Sequence, residues 1–258
     1  MRVAIVIPAR FASSRLPGKP LLRETGKYLI QHVCERADRA RCAADVIVAT
    51  DDERIFAAVR EFGGRPAMTR EDHASGTDRV AEVAANLTAD VVINLQGDEP
   101  QLDPGAIDLL AELMRDPASD MATLAVPITD PDAYFSPNVV KVVCDDRGRA
   151  LYFSRSPIPM IRDGKPDFAA KPARFLQHVG VYAYRRNFLL KIAGTPPHPL
   201  EQSEKLEQLR VLGAGGTITV GRVARAHRGV DTPADYAEFV RWYREGGDEG
   251  ASGTRRAA

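Results

Sequence analysis

Three cationic side chains and a glycine follow directly after the first apolar segment of the chain. Residues 3–7 read VAIVI, and the loop behind them carries Arg10, Arg15, Gly18 and Lys19. Open α/β sheets bind ligands at the carboxyl ends of their strands, where a fixed loop presents backbone N–H groups beside such side chains. Guanidinium groups bind phosphate oxygens in pairs, and an ammonium acts as a point charge. The combination indicates a polyphosphate site, although each cation alone is typical of an exposed loop.

A carboxylate follows another apolar segment. Residues 94–100 read NLQGDEP, which places Asp98 just past a predicted buried strand. Hard divalent cations take carboxylate oxygens, and nucleotide phosphates commonly supply further ligands. We therefore interpret Asp98 as a magnesium ligand; the alternative is that it only caps a turn before the next helix. Gly97 allows the backbone to approach a ligand closely.

A second acidic candidate is Asp231, within the segment GVDTPAD. Thr232 and Asp235 are spaced as a capping box, and Pro233 falls at the first helical position. Taken alone, Asp231 is more typical of a helix start than of a metal ligand. Only the presence of Asp98 favours the hypothesis that both aspartates share one metal.

Two further polar segments and Arg155 suit a nucleoside and a sugar. Residues 68–79 read MTREDHASGTDR, with hydroxyls and amides for a base and ribose, or simply for turn capping. In the segment 177–182, alternation places His178, Gly180 and Tyr182 on one strand face that suits a polyhydroxy acid, although a histidine there is more often a core residue. Arg155 is the cation that we expect nearest to His178.

Glu207 and Gln208 lie in the segment 203–212, which has the pattern of an amphipathic helix. They are candidates for sugar contacts, or they form only the polar face of that helix.

Short branched apolar segments alternate with amphipathic helices in the first half of the chain. We predict strands near 3–7, 46–49 and 91–95, the first stopped by Pro8, and helices near 30–40, 53–62 and 105–114. This alternation predicts an α/β fold with a mostly parallel sheet.

The pattern changes to α+β from residue 121. We predict strands over 122–127, 139–144, 150–153, 175–184 and 217–223, a hairpin at DDRG (145–148), and a last helix over 234–245. The proline-punctuated stretch before residue 175 is long for a loop in a compact domain and is expected to be functional or dimer-forming. Residues 246–258 are small and polar, and we predict a disordered tail.

Composition limits the classes of partner. Lys and Arg total 35 and Asp and Glu total 35, so nothing global favours nucleic acid or a membrane surface. The three cysteines form no C-x-x-C pair, and we expect a reducing cytoplasm. The apolar segment at the amino terminus is too short for a signal peptide or a membrane span.

Several motifs together carry a resemblance to a known family. They are IPARFASSRLPGKP, MTREDHASGTDR, NLQGDEP, ATLAVPI, ALYFSRSPIP, HVGVYAY, EKLEQLR and GVDTPADY. Over roughly residues 2 to 243, the chain resembles the 3-deoxy-manno-octulosonate (Kdo) cytidylyltransferases, the CMP-Kdo synthetases of outer-membrane lipopolysaccharide biosynthesis. The resemblance implies a Rossmann-like nucleotidyltransferase fold, a homodimer, magnesium dependence, and conversion of CTP and Kdo to CMP-Kdo and diphosphate.

The resemblance also implies roles for individual residues and regions. Residues 1–245 would be one domain, with a nucleotide-binding part over about 1–120, a sugar-binding and dimerisation part over about 121–215, and a return to the main sheet. Asp98 and Asp231 would be metal ligands and, with Arg10, Arg15 and Lys19, the catalytic set. The implied nucleotide-binding residues are Ala9, Arg10, Lys19, Arg70, Ser75, Gly76 and Gln96. The implied sugar-binding residues are Arg155, His178, Tyr182, Glu207 and Gln208, with Arg155 on the carboxylate.

Two departures from the family and two other functions remain open at this point. Met160 stands where many members have an aromatic residue, and the segment 162–174 matches poorly. A sister transferase for another acid sugar, such as 8-amino-Kdo, would keep the same cationic loop. The residue sequence of that first loop disfavours sialic acid as the substrate. A non-catalytic nucleotide-sensing module would have lost a metal carboxylate or a loop cation, and neither is lost here.

Overall fold

The computed structural model describes residues 1–12, 15–73, 75–225 and 229–247. Most of the predicted tail, from residue 248 onward, lies outside these ranges. The strands are β1 (Val3–Ala9), β2 (Ala43–Thr50), β3 (Pro66–Met68), β4 (Val91–Asn94), β5 (Met121–Pro127), β6 (Lys141–Cys144), β7 (Ala150–Ser154), β8 (Leu176–Arg185) and β9 (Ile218–Arg222). The helices are α1 (Leu29–Asp38), α2 (Glu53–Glu61), α3 (Gly76–Ala85), α4 (Pro104–Leu113), α5 (Pro131–Phe135), α6 (Arg186–Ala193), α7 (Pro199–Glu204), α8 (Gln208–Gly213) and α9 (Pro233–Arg244), with a 3₁₀ turn at Lys19–Leu21.

The nine strands of the described residues belong to one sheet, whose main path runs β3-β2-β1-β4-β8-β5-β9. The pairs β1–β2, β1–β4, β2–β3 and β5–β9 are parallel, while β8 is antiparallel to both β4 and β5. The α/β class with a mostly parallel sheet is therefore confirmed.

The two faces of β1 contribute to two separate cores. Ile5 and Ile7 belong to the cluster that α1 and α4 cover, whereas Val6 belongs to the cluster that contains Val80 of α3 and residues of α6. Successive side chains of a strand point to opposite faces, so an uninterrupted apolar segment is what a strand covered by helices on both faces requires. This burial fixes the carboxyl end of β1, where the cationic loop begins.

The prediction that Pro8 ends the first strand is wrong, because β1 continues to Ala9 and Pro8 pairs in register with Ala49. In a parallel strand, the N–H and C=O groups of alternate residues point to the same neighbour. Val6 accepts a hydrogen bond from the Leu95 amide, on the β4 side, so Pro8 also faces that side. Since β4 has already ended at Asn94, no ladder bond is lost to the missing N–H.

The predicted hairpin is confirmed, with β6 and β7 antiparallel and Gly148 at a positive φ of 76° in the turn. The edge of this hairpin joins the main sheet, because β6 also pairs with β8. The final strand and helix are confirmed as β9 and α9.

The amphipathic pattern over 203–212 does not form one helix. α7 ends at Glu204, Lys205 adopts a left-handed backbone conformation with a φ of 55°, and α8 begins at Gln208. Within the described ranges, the structure contains no helix with the length and apolar character needed to cross a bilayer.

Candidate active site

Lys19 lies between the two aspartates proposed from the sequence. Its Nζ is 2.7 Å from Asp98 Oδ2 and 3.3 Å from Asp231 Oδ1. Only 12% of the Lys19 side chain is exposed, so this ammonium is held in place rather than solvated. The predicted convergence of Asp98 and Asp231 is thus present in the structure, and it is centred on a cation that the sequence assigned only to phosphate.

Neither Asp98 nor Asp231 caps the helix that follows it, because other residues serve as the caps. Asp103, not Asp98, caps α4 by accepting from the Gly105 amide at 2.8 Å. Thr232, not Asp231, is the N-cap of α9 and forms the predicted capping box with Asp235. The two segments are joined by the Val230 amide, which donates to the Asp98 carbonyl at 2.8 Å.

The loop after β1 is closed by Gly18, which has a φ of 67° and whose amide donates to the Phe11 carbonyl at 3.0 Å. This conformation suits glycine and starts the 3₁₀ turn that carries Lys19. Arg15 is 3.0 Å from Asp231 Oδ1 and largely exposed. Arg10 extends the other way, and its Nη2 donates to the His73 carbonyl at 2.9 Å. Arg15 and Lys19 thus meet at Asp231, while Arg10 contacts the segment before α3.

Glu99 is an acidic neighbour to which the sequence assigned no role. Burial raises its pKa to about 8, with Asp98 and Asp231 adding to the increase and Lys19 opposing it. Its Oε2 is buried without a hydrogen-bond partner among the described residues. Glu99 is therefore largely protonated near pH 7, and a cation bound beside it would favour its ionised form.

A polar cavity of about 240 Å³ is lined by Asn94 and Gln96, which lead into the segment of Asp98 and Glu99. We call it the Tyr182 cavity. It brings together six of the residues predicted from the sequence to bind the nucleotide or the sugar, or to share the strand face between them: Gly76, Gln96, Gly180, Tyr182, Glu207 and Gln208. They come from the start of α3, the end of β4, β8 and the 205–208 segment.

The hydrogen bonding of the cavity wall is incomplete. Gln208 is only 3% exposed, and its Nε2 has no hydrogen-bond partner among the described residues. Its Oε1 lies 3.4 Å from the Tyr182 hydroxyl, while Glu207 Oε2 accepts from Thr77 Oγ1 at 2.7 Å. A buried amide that lacks an acceptor is costly unless a ligand supplies one, so this wall is suited to a polyhydroxylated molecule.

His178 is placed in the sheet rather than in the lining of that cavity. It is 8% exposed, its Nε2 lies 2.9 Å from Thr123 Oγ1, and Phe153 packs edge-on against its ring. Burial lowers its pKa to about 3, so the imidazole is neutral near pH 7. It supports Tyr182, whose ring centroid is 5.5 Å away.

Arg155 is tied to main-chain oxygens. Its Nε donates to the Glu204 carbonyl at 2.8 Å and its Nη1 to the Pro137 carbonyl at 3.0 Å. The Glu204 carboxylate in turn accepts from Ser154 Oγ at 2.6 Å and from the Arg155 amide at 2.9 Å. Arg155 thus holds the end of α7, and it is not among the described residues that line the Tyr182 cavity.

Three predicted nucleotide residues lie around α3 and β1. Ser75 is the N-cap of α3 in a capping box with Asp78, as the capping alternative expected. The exposed Arg70 is 3.4 Å from Asp72 and lines a separate cleft. Ala9 ends β1 and is 3% exposed.

Sequence reasoning missed two lysines on the sugar side. Lys141 is fully buried, and its Nζ donates to the carbonyls of Ser136, Val139 and Arg155 at 2.9, 2.6 and 2.5 Å. Burial lowers its pKa. A single lysine within an otherwise apolar strand was the available signal. Lys205 lines the Tyr182 cavity; it lies in the EKLEQLR motif, but no role was predicted for it.

Comparison with known proteins places this arrangement in a family. The cytidylyltransferase family model matches residues 4–218. A 3-deoxy-manno-octulosonate cytidylyltransferase of Syntrophotalea carbinolica is 53% identical over 239 residues, covering 91% of this chain and 96% of that protein. One from Geobacter sulfurreducens is 52% identical, covering 93% and 98%.

A solved structure of CMP:2-keto-3-deoxy-manno-octonic acid synthetase complexed with CTP aligns with a TM-score of 0.89 and 49% identity, covering 95% of this chain and all of that one. With a family model over most of the chain and relatives near half identity along nearly its whole length, the chain belongs to the cytidylyltransferases, in the family of the 3-deoxy-manno-octulosonate cytidylyltransferases.

Proposed function

We propose that this protein transfers CMP from CTP to the anomeric hydroxyl of Kdo and releases diphosphate. The observation that carries the proposal is Lys19 held between Asp98 and Asp231 beside the polar Tyr182 cavity. A cation-binding pair and a hydroxyl-binding wall next to each other suit a phosphorylated substrate and a sugar acid. The relatives named for this reaction, and the neighbour that holds CTP, supply the substrate identities.

In the proposed reaction, the sugar hydroxyl oxygen attacks the α-phosphorus of CTP in line. A P–O bond forms to the sugar, the hydroxyl loses its proton to solvent, the bond to the β-phosphate breaks, and diphosphate leaves with its electron pair. Phosphoryl-group chemistry requires mainly positioning and neutralisation of charge. Arg10, Arg15 and Lys19 supply that neutralisation along the triphosphate, and the residues around Gly76 and Gln96 hold the cytidine.

Asp98 and Asp231 fit a divalent cation. An ammonium already lies between their oxygens, and carboxylate oxygens are the donors that Mg²⁺ prefers. Within the described ranges no set of three or more His, Cys, Asp or Glu side chains forms a metal site, so further oxygens would come from the substrates. When bound, the ion would neutralise phosphate charge and lower the pKa of the attacking hydroxyl.

The part of the Tyr182 cavity formed by Tyr182, Glu207 and Gln208 would hold the sugar acid, next to the cytidine side at Gly76 and Gln96. The unpartnered Gln208 amide donates to a sugar hydroxyl, and Tyr182 and Glu207 offer further polar atoms. Glu207 is oriented by its hydrogen bond to Thr77, at the start of α3. Residues of the nucleotide side therefore help to position the sugar side.

We also propose a cytoplasmic homodimer that serves lipopolysaccharide biosynthesis. Large apolar side chains are exposed in the part that we assign to dimerisation, with Phe135 at 59%, Leu151 at 62% and Met160 at 79%. Sedimentation analysis of the wild type and of Leu151→Lys tests the dimer. A monomeric wild type would refute it.

The substrate assignment is tested by magnesium-dependent diphosphate release across a panel of nucleotides and acid sugars. We expect turnover with CTP and Kdo. If none of the acid sugars supports diphosphate release, the proposed function is refuted. Equal rates with UTP would refute the cytidine assignment, and a preference for 8-amino-Kdo would change the assigned sugar substrate.

A further inference from the structure

One carboxylate oxygen of Glu82, on α3, holds two points of the segment between β3 and α3. Glu82 Oε2 accepts a hydrogen bond from the Arg70 amide at 3.3 Å and a second one from His73 Nε2. An ionised carboxylate can only accept, which assigns the donor role to that ring nitrogen. The His73 side chain is 5% exposed, so the contact is enclosed. Because both bonds end on one atom, they fix the conformation of residues 70–73.

The same helix holds the start of this segment through Arg79. The Arg79 side chain is fully buried, and its guanidinium donates to the Thr69 hydroxyl and to the Asp51 carboxylate. Arg79 and Glu82 are three positions apart, so they are neighbours on one face of α3. α3 therefore anchors the segment 69–73 at its start and at its end.

The anchored segment contacts the cationic loop after β1 through a backbone carbonyl. Arg10 Nη2 donates to the His73 carbonyl at 2.9 Å, across 63 positions of the sequence. A guanidinium has five N–H donors, so one bond to a carbonyl fixes its orientation without exhausting its capacity for phosphate oxygens. His73 is thus bonded to Glu82 through its ring and to Arg10 through its carbonyl. A continuous set of contacts runs from Glu82 to the first cation of the loop.

We propose that Glu82, acting through His73, positions the Arg10 guanidinium for the triphosphate of CTP. The inference rests on the proposed function, which places Arg10 on that triphosphate. Glu82 acts through another residue, so it is a positioning residue. Its charge alone would have the opposite effect, because removing a carboxylate near a triphosphate removes repulsion and tightens binding. The sign of the change in CTP affinity therefore separates positioning from simple electrostatics.

The test is a double-mutant cycle read by the Kd of CTP, measured by calorimetry in the presence of magnesium. Its members are the wild type, Glu82→Ala, Arg10→Met and the variant with both changes. We expect Glu82→Ala to weaken CTP binding about three- to tenfold, the range of one or two hydrogen bonds. In the Arg10→Met background it should have no further effect, because residues that act through one contact lose their effect once.

Two single variants serve as controls in the same assay. Glu82→Gln keeps an oxygen that can accept both bonds, so it should bind CTP as tightly as the wild type or more tightly. Glu112→Ala removes an exposed helix carboxylate that pairs with Arg115, and it should match the wild type.

Unchanged or tighter CTP binding in Glu82→Ala would overturn the inference, as would an undiminished loss in the Arg10→Met background or a wild type that does not bind CTP. Because Arg70 is also bonded to Glu82, the cycle is repeated with Arg70→Met. A loss that disappears only in that background would mean that Glu82 acts through Arg70, and the inference would be wrong.

His73→Phe keeps the ring and loses the donor, so it should repeat both the loss and its disappearance in the Arg10→Met background. This variant decides the matter if Glu82→Ala does not fold. None of these measurements requires Kdo, so diphosphate release with Kdo decides the proposed function separately.

Discussion

Thr77 Oγ1 and Glu207 Oε2 lie 2.7 Å apart, although 130 positions separate the two residues in the sequence. Thr77 belongs to the first turn of α3, at the predicted cytidine side, and Glu207 borders the predicted sugar site. The hydrogen bond therefore joins the two halves of the candidate active site directly.

Thr77→Val removes this donor while keeping the shape of the side chain. We expect the KM for Kdo to rise roughly two- to tenfold, the range of one hydrogen bond, with little change in CTP affinity. Steady-state kinetics with each substrate varied in turn measures both. Thr195→Val is the matched control, because the Thr195 hydroxyl donates to the Lys191 carbonyl and Thr195 is not among the described residues that line the cavity. An effect of equal size on CTP would place the bond in nucleotide binding.

Asp98→Asn and Asp231→Asn remove one negative charge each and leave the helix caps intact. We expect each to lower kcat by about 100-fold or more, since charge neutralisation at the phosphates is worth several kcal/mol. The double variant should be scarcely worse than the worse single one, because residues that act as one unit lose their effect once. Asp108→Asn, which loses a contact to Arg41 far from the site, is the control. Near-normal turnover of Asp231→Asn at low magnesium would remove Asp231 from the metal site.

Gly97→Ala tests the close approach of the loop that carries Asp98 to strand β1. A Cβ at this position would lie 2.8 Å from the Pro8 carbonyl oxygen, which forces the loop with Asp98 away from β1. We expect a loss of about 1–3 kcal/mol in unfolding free energy and a large loss of turnover. Gly180→Ala, whose added Cβ has no neighbour within 4 Å, should leave stability unchanged. Chemical denaturation of both variants decides the point.

His178 makes the stability of the protein sensitive to acid. Its pKa is about 3 in the folded protein against an ordinary value of 6.5, so the unfolded chain binds the proton first as pH falls. The stabilisation is present above pH 6.5 and is lost progressively below it, reaching a loss of about 2 kcal/mol at pH 5. His178→Gln should flatten this dependence. Denaturation midpoints of both proteins between pH 7 and 5 measure it, and parallel curves would contradict the assignment.

The strands and helices with strong periodicity were predictable, as were the motifs at the carboxyl edge of the sheet. Uninterrupted apolar segments identified β1 and β4, because both faces of these strands are buried, and the DDRG turn identified the hairpin β6–β7. Prediction from sequence patterns failed at Pro8, because a proline interrupts a strand only where the neighbouring strand still needs its N–H group. It failed again over 203–212, where tertiary anchors at Glu204 and Glu207 break a helical pattern.

Those features of the candidate site that depend on short sequence motifs were predictable. The meeting of Asp98 and Asp231 followed from two acidic segments and a family resemblance. The ammonium of Lys19 between them, the anchoring of Arg155 by main-chain carbonyls and the position of Lys205 did not. Each depends on partners far away in the chain, and single residue types do not encode such partners.

The strand β8 is shared by both halves of the molecule. Leu176 at one end pairs with Val142 of β6, and Arg185 at the other end pairs with Val91 of β4. These backbone pairings connect the regions proposed for nucleotide and sugar through one continuous strand. We therefore expect the spacing of the two substrates to be set when the chain folds. Solution scattering should give the same radius of gyration with and without CTP.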